Sequence, residues 1–329
     1  MNDAAPDPGR GTARARLPAV DRFRGLAIMM MIVANFLEYV RWIPPWLKHA
    51  PDIGLTVVDL VMPFFVFAMG LTFGASVRRR LGREGGLKTG EHVVTRAMAL
   101  IGIGTLFTLG EIGYGFNPHA SVWGVLQALG ASILLCYPAL FLPTWGRLAA
   151  ALAVMGAYQW ALDAYWLDRV LASQVAGLRG AISWAALLML STVFADLALE
   201  KRWKRYVGLA ALSLAAGLAL ASLFPISKHR MSCTFDLTVC GIAALAFAAF
   251  EALAERRSPL FSVLEIWGRN PLVLYVLHLL LLSVFLLPSA PWWHADAALW
   301  LLLLELAALG GVLHLVAWSL DRKRVTISL

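Results

Sequence analysis

Long apolar runs alternate with short polar joints from about residue 20 almost to the C-terminus. Ten runs can be bounded: 20–40, 54–77, 93–113, 121–142, 147–166, 179–198, 206–224, 232–253, 270–288 and 296–318. Each is close to the ~20 residues that carry a helix through a hydrocarbon core, and each is too long for a barrel strand. Lipid offers no partner to free backbone N–H and C=O groups, so such segments must satisfy their own as helices. The pattern predicts an all-α integral membrane protein of about ten transmembrane helices, in one polytopic domain over residues 20–320. Residues 1–19, rich in Pro, Gly, Ala and Arg, are expected to form a mobile tail, and residues 321–329 a short basic one. The first apolar run is read as an uncleaved span, since no small-residue cleavage site follows it.

Composition agrees. Of 329 residues 60% are hydrophobic and 15% charged, against about 25% charged in soluble domains. Net charge is +8, and its distribution is informative: 22 of the 28 Lys and Arg fall at one set of helix ends. That set includes Arg22, Arg24, Arg78, Arg79, Arg80, Arg147, Lys201, Arg202, Arg256, Arg269 and Lys323. Cytoplasmic ends collect Lys and Arg, so both termini are predicted to face the cytoplasm. The basic balance expresses this rule and gives no support to a nucleic-acid partner. Cys136, Cys233 and Cys240 form no disulfide framework, and no Cys/His spacing suggests a metal. The sequence contains no nucleophile elbow, P-loop or dinucleotide fingerprint.

With this orientation the polar residues sort by depth. Asn35, His49, Asp59, Glu111, Gln127, Lys228 and Asp236 come from distant parts of the chain and share the outer third. Asp59 lies inside an apolar run, ten residues after His49, and an ionised carboxylate there needs a partner or water. Two readings fit. His49 is an interfacial loop residue with Asp59 paired to a neighbouring helix, or the residues at this depth line an outward-facing polar pocket. At the inner side Arg78, Arg79 and Arg80 precede Gly82, Gly85 and Gly86, with further charge at 201–205 and 256–257. These clusters serve topology and anionic-lipid contact, or form a phosphate-binding mouth. His278 is mid-span, either packed and bonded to a carbonyl, the preferred reading, or a second site residue. Glu305, also mid-span, has no assigned role.

LPAVDRFRGL at 17–26, Asn35, and KHAPDIGLTVVDLVMPFFVFAMG at 48–70 together form a long signature. It resembles the bacterial relatives of heparan-α-glucosaminide N-acetyltransferase, multi-span enzymes that move an acyl group from acyl-coenzyme A to an acceptor across the membrane. GVLQALG at 124–130, FPISKHRMSCTF at 224–235 and GRNPLVLYVLH at 268–278 extend the resemblance; 143–205 and 289–329 match only in hydropathy. Ser121, Ala128, Ser227 and Met231 depart from the family pattern on the outer face, which bears on the acceptor. DRFRG followed by Asn35 is also similar, more loosely, to a second membrane acyltransferase family that has histidine at that position.

The resemblance implies acetyl-CoA or another acyl-CoA as co-substrate and no metal. Its expected catalytic group is His49, as base or nucleophile, with Asn35 as a donor to the thioester oxygen; Asp59 either orients the imidazole or binds Lys228. Gln127, Lys228 and Asp236 are expected on the acceptor side, and Arg78, Arg79, Arg80 and Asn270 on the donor side. The expected acceptor is an extracytoplasmic sugar or glycan amine or hydroxyl, the expected setting a bacterial inner membrane with its lipids as neighbours. Homo-oligomer formation stays open. An extended pantetheine arm reaches ~18 Å, less than the roughly 30 Å hydrocarbon core. Either the nucleotide sinks into a basic vestibule or the His49 loop dips inward; a buried, re-entrant His49 loop, restricted by Pro44, Pro45 and Pro51 and anchored by Trp42 and Trp46, is the preferred picture. The rival class is a transporter or flippase for a polar or glycolipid substrate, but no second copy of the 47–71 pattern exists.

Overall fold

The computed structural model describes residues 18–113, 123–285 and 291–326, and these are all helix, turn or loop, with no strand among them. The expected mobile tail falls almost entirely outside the described residues. The helices in chain order are α1 (Pro18–Leu37), α2 (Val61–Gly113), α3 (Val125–Cys136), α4 (Thr144–Ala161), α5 (Leu167–Leu171) and α6 (Gly177–Leu199). They continue as α7 (Trp203–Ala219), α8 (Cys233–Ala252), α9 (Pro259–Arg269), α10 (Pro271–Phe285), α11 (Trp292–Ala295) and α12 (Leu299–Arg322).

Five described helices are long and apolar enough to cross a membrane: Val58–Gly110, Gly177–Leu199, Trp203–Ser222, Cys233–Ala252 and Leu299–Arg322. The bent pair α9–α10 makes a sixth if it counts as one span. Hydropathy alone counted ten runs, and the differences have local causes. Run 54–77, from Val61 onward, and run 93–113 form two helices that join within α2 across a kink at Gly85, whose φ of 78° suits glycine. The stretch 78–92, outside both runs in the sequence, is thus helical. The run at 121–142 keeps 12 α-helical residues before Pro138 tightens the chain into a 3₁₀ turn. The run at 270–288 is preceded by an 89° bend, placed by Asn270 and Pro271, because proline disfavours helical backbone in the residue before it.

Helix α6 is the centre of the bundle. Trp184, Leu187, Val193 and Phe194 are fully buried, and α2, α3, α4 and α8 pack around it. By contrast α7 and α12 expose Leu212, Leu218, Leu303, Leu304 and Leu315, as helices facing lipid would. Phe23 of α1 joins Phe64 and Phe67 of α2 and Phe247 and Phe250 of α8 in one aromatic cluster. Gly25 and Gly268 bring the α1 and α9 backbones together; a methyl on either would strike the Leu264 or Asp21 carbonyl. Small residues permit such approach where apolar solvent gives helices no other reason to associate.

The contacts define two ends. At one, Arg22 meets Glu265 at 2.7 Å and the Leu253 carbonyl at 2.8 Å, Arg78 and Arg147 meet Asp196, and Arg269 meets Asp321. At the other lie the loops 38–57 and 223–232 and the segment around α11, tied together as described next.

Candidate functional site

The site grows out of the loop between α1 and α2. After Leu37 the chain turns and is strapped to the α11 segment. Arg41 N donates to the Ala295 carbonyl (2.9 Å), its guanidinium pairs with Asp296 (2.9 Å), and Trp42 Nε1 donates to Ala297 O (2.8 Å). Trp42 thus anchors on protein. Pro44 and Pro45 start one tight turn, Pro45–Leu47, which delivers His49. A second short turn, Val58–Leu60, delivers Asp59, 1% exposed. Its Oδ1 accepts from His49 Nδ1 at 2.8 Å. Its Oδ2 accepts from Ala50 N at 3.2 Å, Thr56 N at 3.1 Å and the Thr56 hydroxyl at 3.0 Å. A carboxylate can only accept, so Nδ1 holds a proton, and a neutral ring in this setting keeps its lone pair on Nε2. The His49 side chain is 39% exposed. The expectation of a buried loop is therefore corrected: the carboxylate is buried, while the imidazole remains open.

The facing wall is the loop 223–232. Ser232 caps α8 and accepts from Phe235 N (3.3 Å) and Ser227 N (3.1 Å), while the Ser227 hydroxyl accepts from Arg230 N (3.1 Å). This compact turn brings Lys228 Nζ to 3.0 Å from His49 Nδ1, 3.3 Å from Nε2 and 3.7 Å from Asp59 Oδ1. Two ties lock the loops. Asp52 accepts from Arg230 Nε (3.0 and 3.1 Å) and Nη2 and from the Ser227 hydroxyl (2.9 Å). Gly54, at φ 126°, donates its N–H to Ile226 O at 2.8 Å; only glycine takes that backbone without strain. Behind them Tyr158 Oη donates to Arg230 O (3.0 Å), and Gln159 Oε1 accepts from Cys233 N (3.0 Å).

Charge follows this packing. Burial pushes the Lys228 ammonium down to about 8, with Asp59 and Glu38 pulling the other way. His229 is lowered by burial and by the neighbouring Lys228 and His49. Hydrogen bonding from Arg230 holds Asp52 below the usual carboxylate range.

Of the residues singled out in the sequence, His49, Asp59 and Lys228 come together. Asn35 is bonded through Nδ2 to His278 Nε2 (2.9 Å), whose Nδ1 faces the Leu274 carbonyl (3.2 Å). His278 is thus a packed, carbonyl-bonded histidine that also holds Asn35. Asp236 is fully buried and accepts from the Ser183 hydroxyl at 2.6 Å. Gln127 caps α3 by accepting from Gly124 N (3.1 Å) and donates to Thr108 (3.2 Å). At the opposite end the three arginines do not act as one array. Arg78 pairs with Asp196 at 2.6 Å, Arg80 with Glu84 at 2.8 Å, and Arg79 is exposed. Asn270 Nδ2 donates to Val325 O at 3.1 Å. Nothing along the chain signals the Asp52–Arg230 tie, since its partners are 178 residues apart, or His294, buried between Glu305 (2.8 Å) and the Phe36 carbonyl (3.1 Å).

Comparison with known proteins bears on this geometry. Residues 16–175 match the family model described as heparan-alpha-glucosaminide N-acetyltransferase, catalytic. The matched stretch contains Asn35, His49, Asp52, Asp59 and Arg78; Lys228 and Arg230 lie beyond it. The chain is 37% identical over 136 residues to the heparan-alpha-glucosaminide N-acetyltransferase of Mus musculus, covering 40% of this chain and 20% of that protein. To the protein of that name from Homo sapiens it is 35% identical over 132 residues, covering 36% and 18%. The matched stretch thus spans about a fifth of the length of these curated relatives. The loop that carries His49 and Asp59 lies inside the matched region, over which the chain is similar to the catalytic part of heparan-alpha-glucosaminide N-acetyltransferases.

Proposed function

We propose that the protein is a membrane acyltransferase that moves an acetyl or other short acyl group from acyl-coenzyme A to an amine or hydroxyl. The acceptor is a sugar or glycan on the extracytoplasmic side. The observation that carries this is the Asp59–His49 pair, a buried carboxylate fixing the tautomer of an open imidazole. Carboxylates orient catalytic histidines in this way elsewhere.

The acceptor N–H or O–H would give its proton to His49 Nε2 as its lone pair attacks the thioester carbon. The C–S bond then breaks and coenzyme A leaves as thiolate, which is reprotonated. Lys228 faces the same ring and supplies positive charge where the carbonyl oxygen becomes anionic. His278 takes one N–H of the Asn35 amide; the other is assigned to that oxygen. Because the ~18 Å arm cannot span the roughly 30 Å core to an open imidazole, the donor's nucleotide is assigned to a basic vestibule sunk below the arginine-rich end. In this reading the bundle crosses the membrane about ten times with both termini cytoplasmic, as the 22 clustered basic residues suggest.

The test is turnover of His49→Ala, followed as thiol release from acetyl-CoA with glucosamine as acceptor. We expect a loss of at least ~100-fold, the lower range for a general base, with donor binding little changed. A folded variant that turns over near the wild-type rate would sink the assignment.

A further inference from the structure

We propose that Lys228 is a self-acylation site: with donor present and no acceptor, its own amine takes the acyl group through the base that serves the acceptor. The inference rests on the acyl-transfer reading above and adds a modification site to it. Its ground is position. Lys228 Nζ is 3.0 and 3.3 Å from the two nitrogens of His49, within reach of Nε2 where the nitrogen of a bound acceptor amine must also come. The backbone holds it there through the Ser227–Ser232 turn and the Asp52–Arg230 tie. Lys48 is one residue from the base, yet its Nζ is turned to the Glu38 carbonyl at 3.3 Å. The fold thus aims one lysine at the imidazole and the other away from it.

Chemistry allows the step. The Nζ lone pair attacks the thioester carbon, the C–S bond breaks, and coenzyme A departs as thiolate. The proton lost from nitrogen passes to His49 Nε2 and on to the thiolate, so the products are an N-acyl-lysine and a free thiol, with no change of oxidation state. Attack needs the uncharged amine. With its ammonium lowered to about 8, Lys228 is uncharged in roughly one molecule in ten at pH 7, whereas an ordinary lysine near 10.4 is uncharged in fewer than about one in a thousand. The product is an amide, which hydroxylamine does not cleave, unlike an acyl-imidazole. Acylation also removes the positive charge that faces Asp59.

The experiment incubates the purified full chain with acetyl-CoA alone, treats it with hydroxylamine, and measures acetyl occupancy of Lys228 and Lys48 by peptide mass spectrometry. Thiol release with glucosamine is followed in parallel. The expected result is a hydroxylamine-stable acetyl group at Lys228, formed at least ~100-fold more slowly in His49→Ala, with Lys48 unmodified. Turnover with glucosamine but no acetyl at Lys228 would overturn the proposal and leave the acyltransfer reading intact. Equal acetylation of Lys228 and Lys48, or undiminished acetylation in a folded His49→Ala protein, would overturn it as uncatalysed chemistry. Neither turnover nor acetylation would overturn both.

Discussion

Replacing Asp59 by asparagine keeps the shape of the side chain and removes one acceptor atom. Asp59 meets donors on both oxygens: the His49 Nδ1–H on one, and the Ala50 and Thr56 N–H groups with the Thr56 hydroxyl on the other. An amide cannot accept on both sides. If its oxygen stays toward His49, its NH₂ confronts two backbone donors, and leaving both unsatisfied costs about 2–6 kcal/mol. Turning the amide over restores those bonds and points NH₂ at His49 Nδ1, which then must accept. The ring answers by moving its proton to Nε2, the nitrogen assigned as base. The cheaper rotamer is therefore the inactive one. We expect Asp59→Asn to fold with nearly unchanged thermal stability and to lose ~10²–10⁴-fold in turnover, about 2.7–5.4 kcal/mol on the barrier. The assay is thiol release at saturating acetyl-CoA and glucosamine, beside a melting curve of the same preparation. A variant within twofold of wild type would refute the tautomer argument; a large loss of melting temperature would show that the first rotamer prevails.

Three other outcomes follow from the geometry. Asp196→Ala should destabilise the bundle by about 3 kcal/mol or more, because it leaves the buried Arg147 guanidinium without its carboxylate; thermal unfolding in detergent checks this, with Arg79→Ala as the near-silent control. Gly25→Ala should cost about 1–3 kcal/mol in the same measurement by forcing α1 off α9. Acylation of Lys228 should quicken as pH rises from 6 and level off above about 8, since the uncharged fraction of the amine grows up to that value and is nearly complete beyond it; mass spectrometry across a pH series would show a flat profile if the amine were already neutral.

Much of this architecture could be read from the chain, because lipid leaves few choices for a run of apolar residues. Hydropathy placed the core helix α6 and the peripheral α7 and α12 without error of more than a few residues. It failed where one residue redirects the backbone. Gly85 kinks the joint between the two helices of runs 54–77 and 93–113, a joint the apolar pattern leaves undescribed, and the Asn270–Pro271 bend turns the chain where that pattern shows only a new start. His49 and Asp59 were legible as a pair, since ten residues of loop closing on a short turn is a local matter. Lys228 was weighed as a partner of Asp59, from which it lies at 3.7 Å, but not placed on the ring, because contact between loops 179 residues apart depends on how the bundle closes. Gln127 and Asp236 were assigned to that depth too, yet Gln127 caps α3 and Asp236 is buried against Ser183. Depth orders polar residues along one axis and is blind to the other two.

The hydrogen bonds of Asp59 to His49, Ala50 and Thr56 all close within residues 48–59. The Asp59–His49 unit is therefore self-contained, a twelve-residue cassette seated at the mouth of the bundle. What stands opposite it is written some 170 residues later and touches it through Asp52, Gly54 and one lysine amine. Substitutions in 224–232 that spare those touchpoints would reshape the space in front of the imidazole without disturbing its tautomer. The two walls can be varied separately, and a chain built this way can change which molecule it accepts while keeping the apparatus that makes the acceptor reactive.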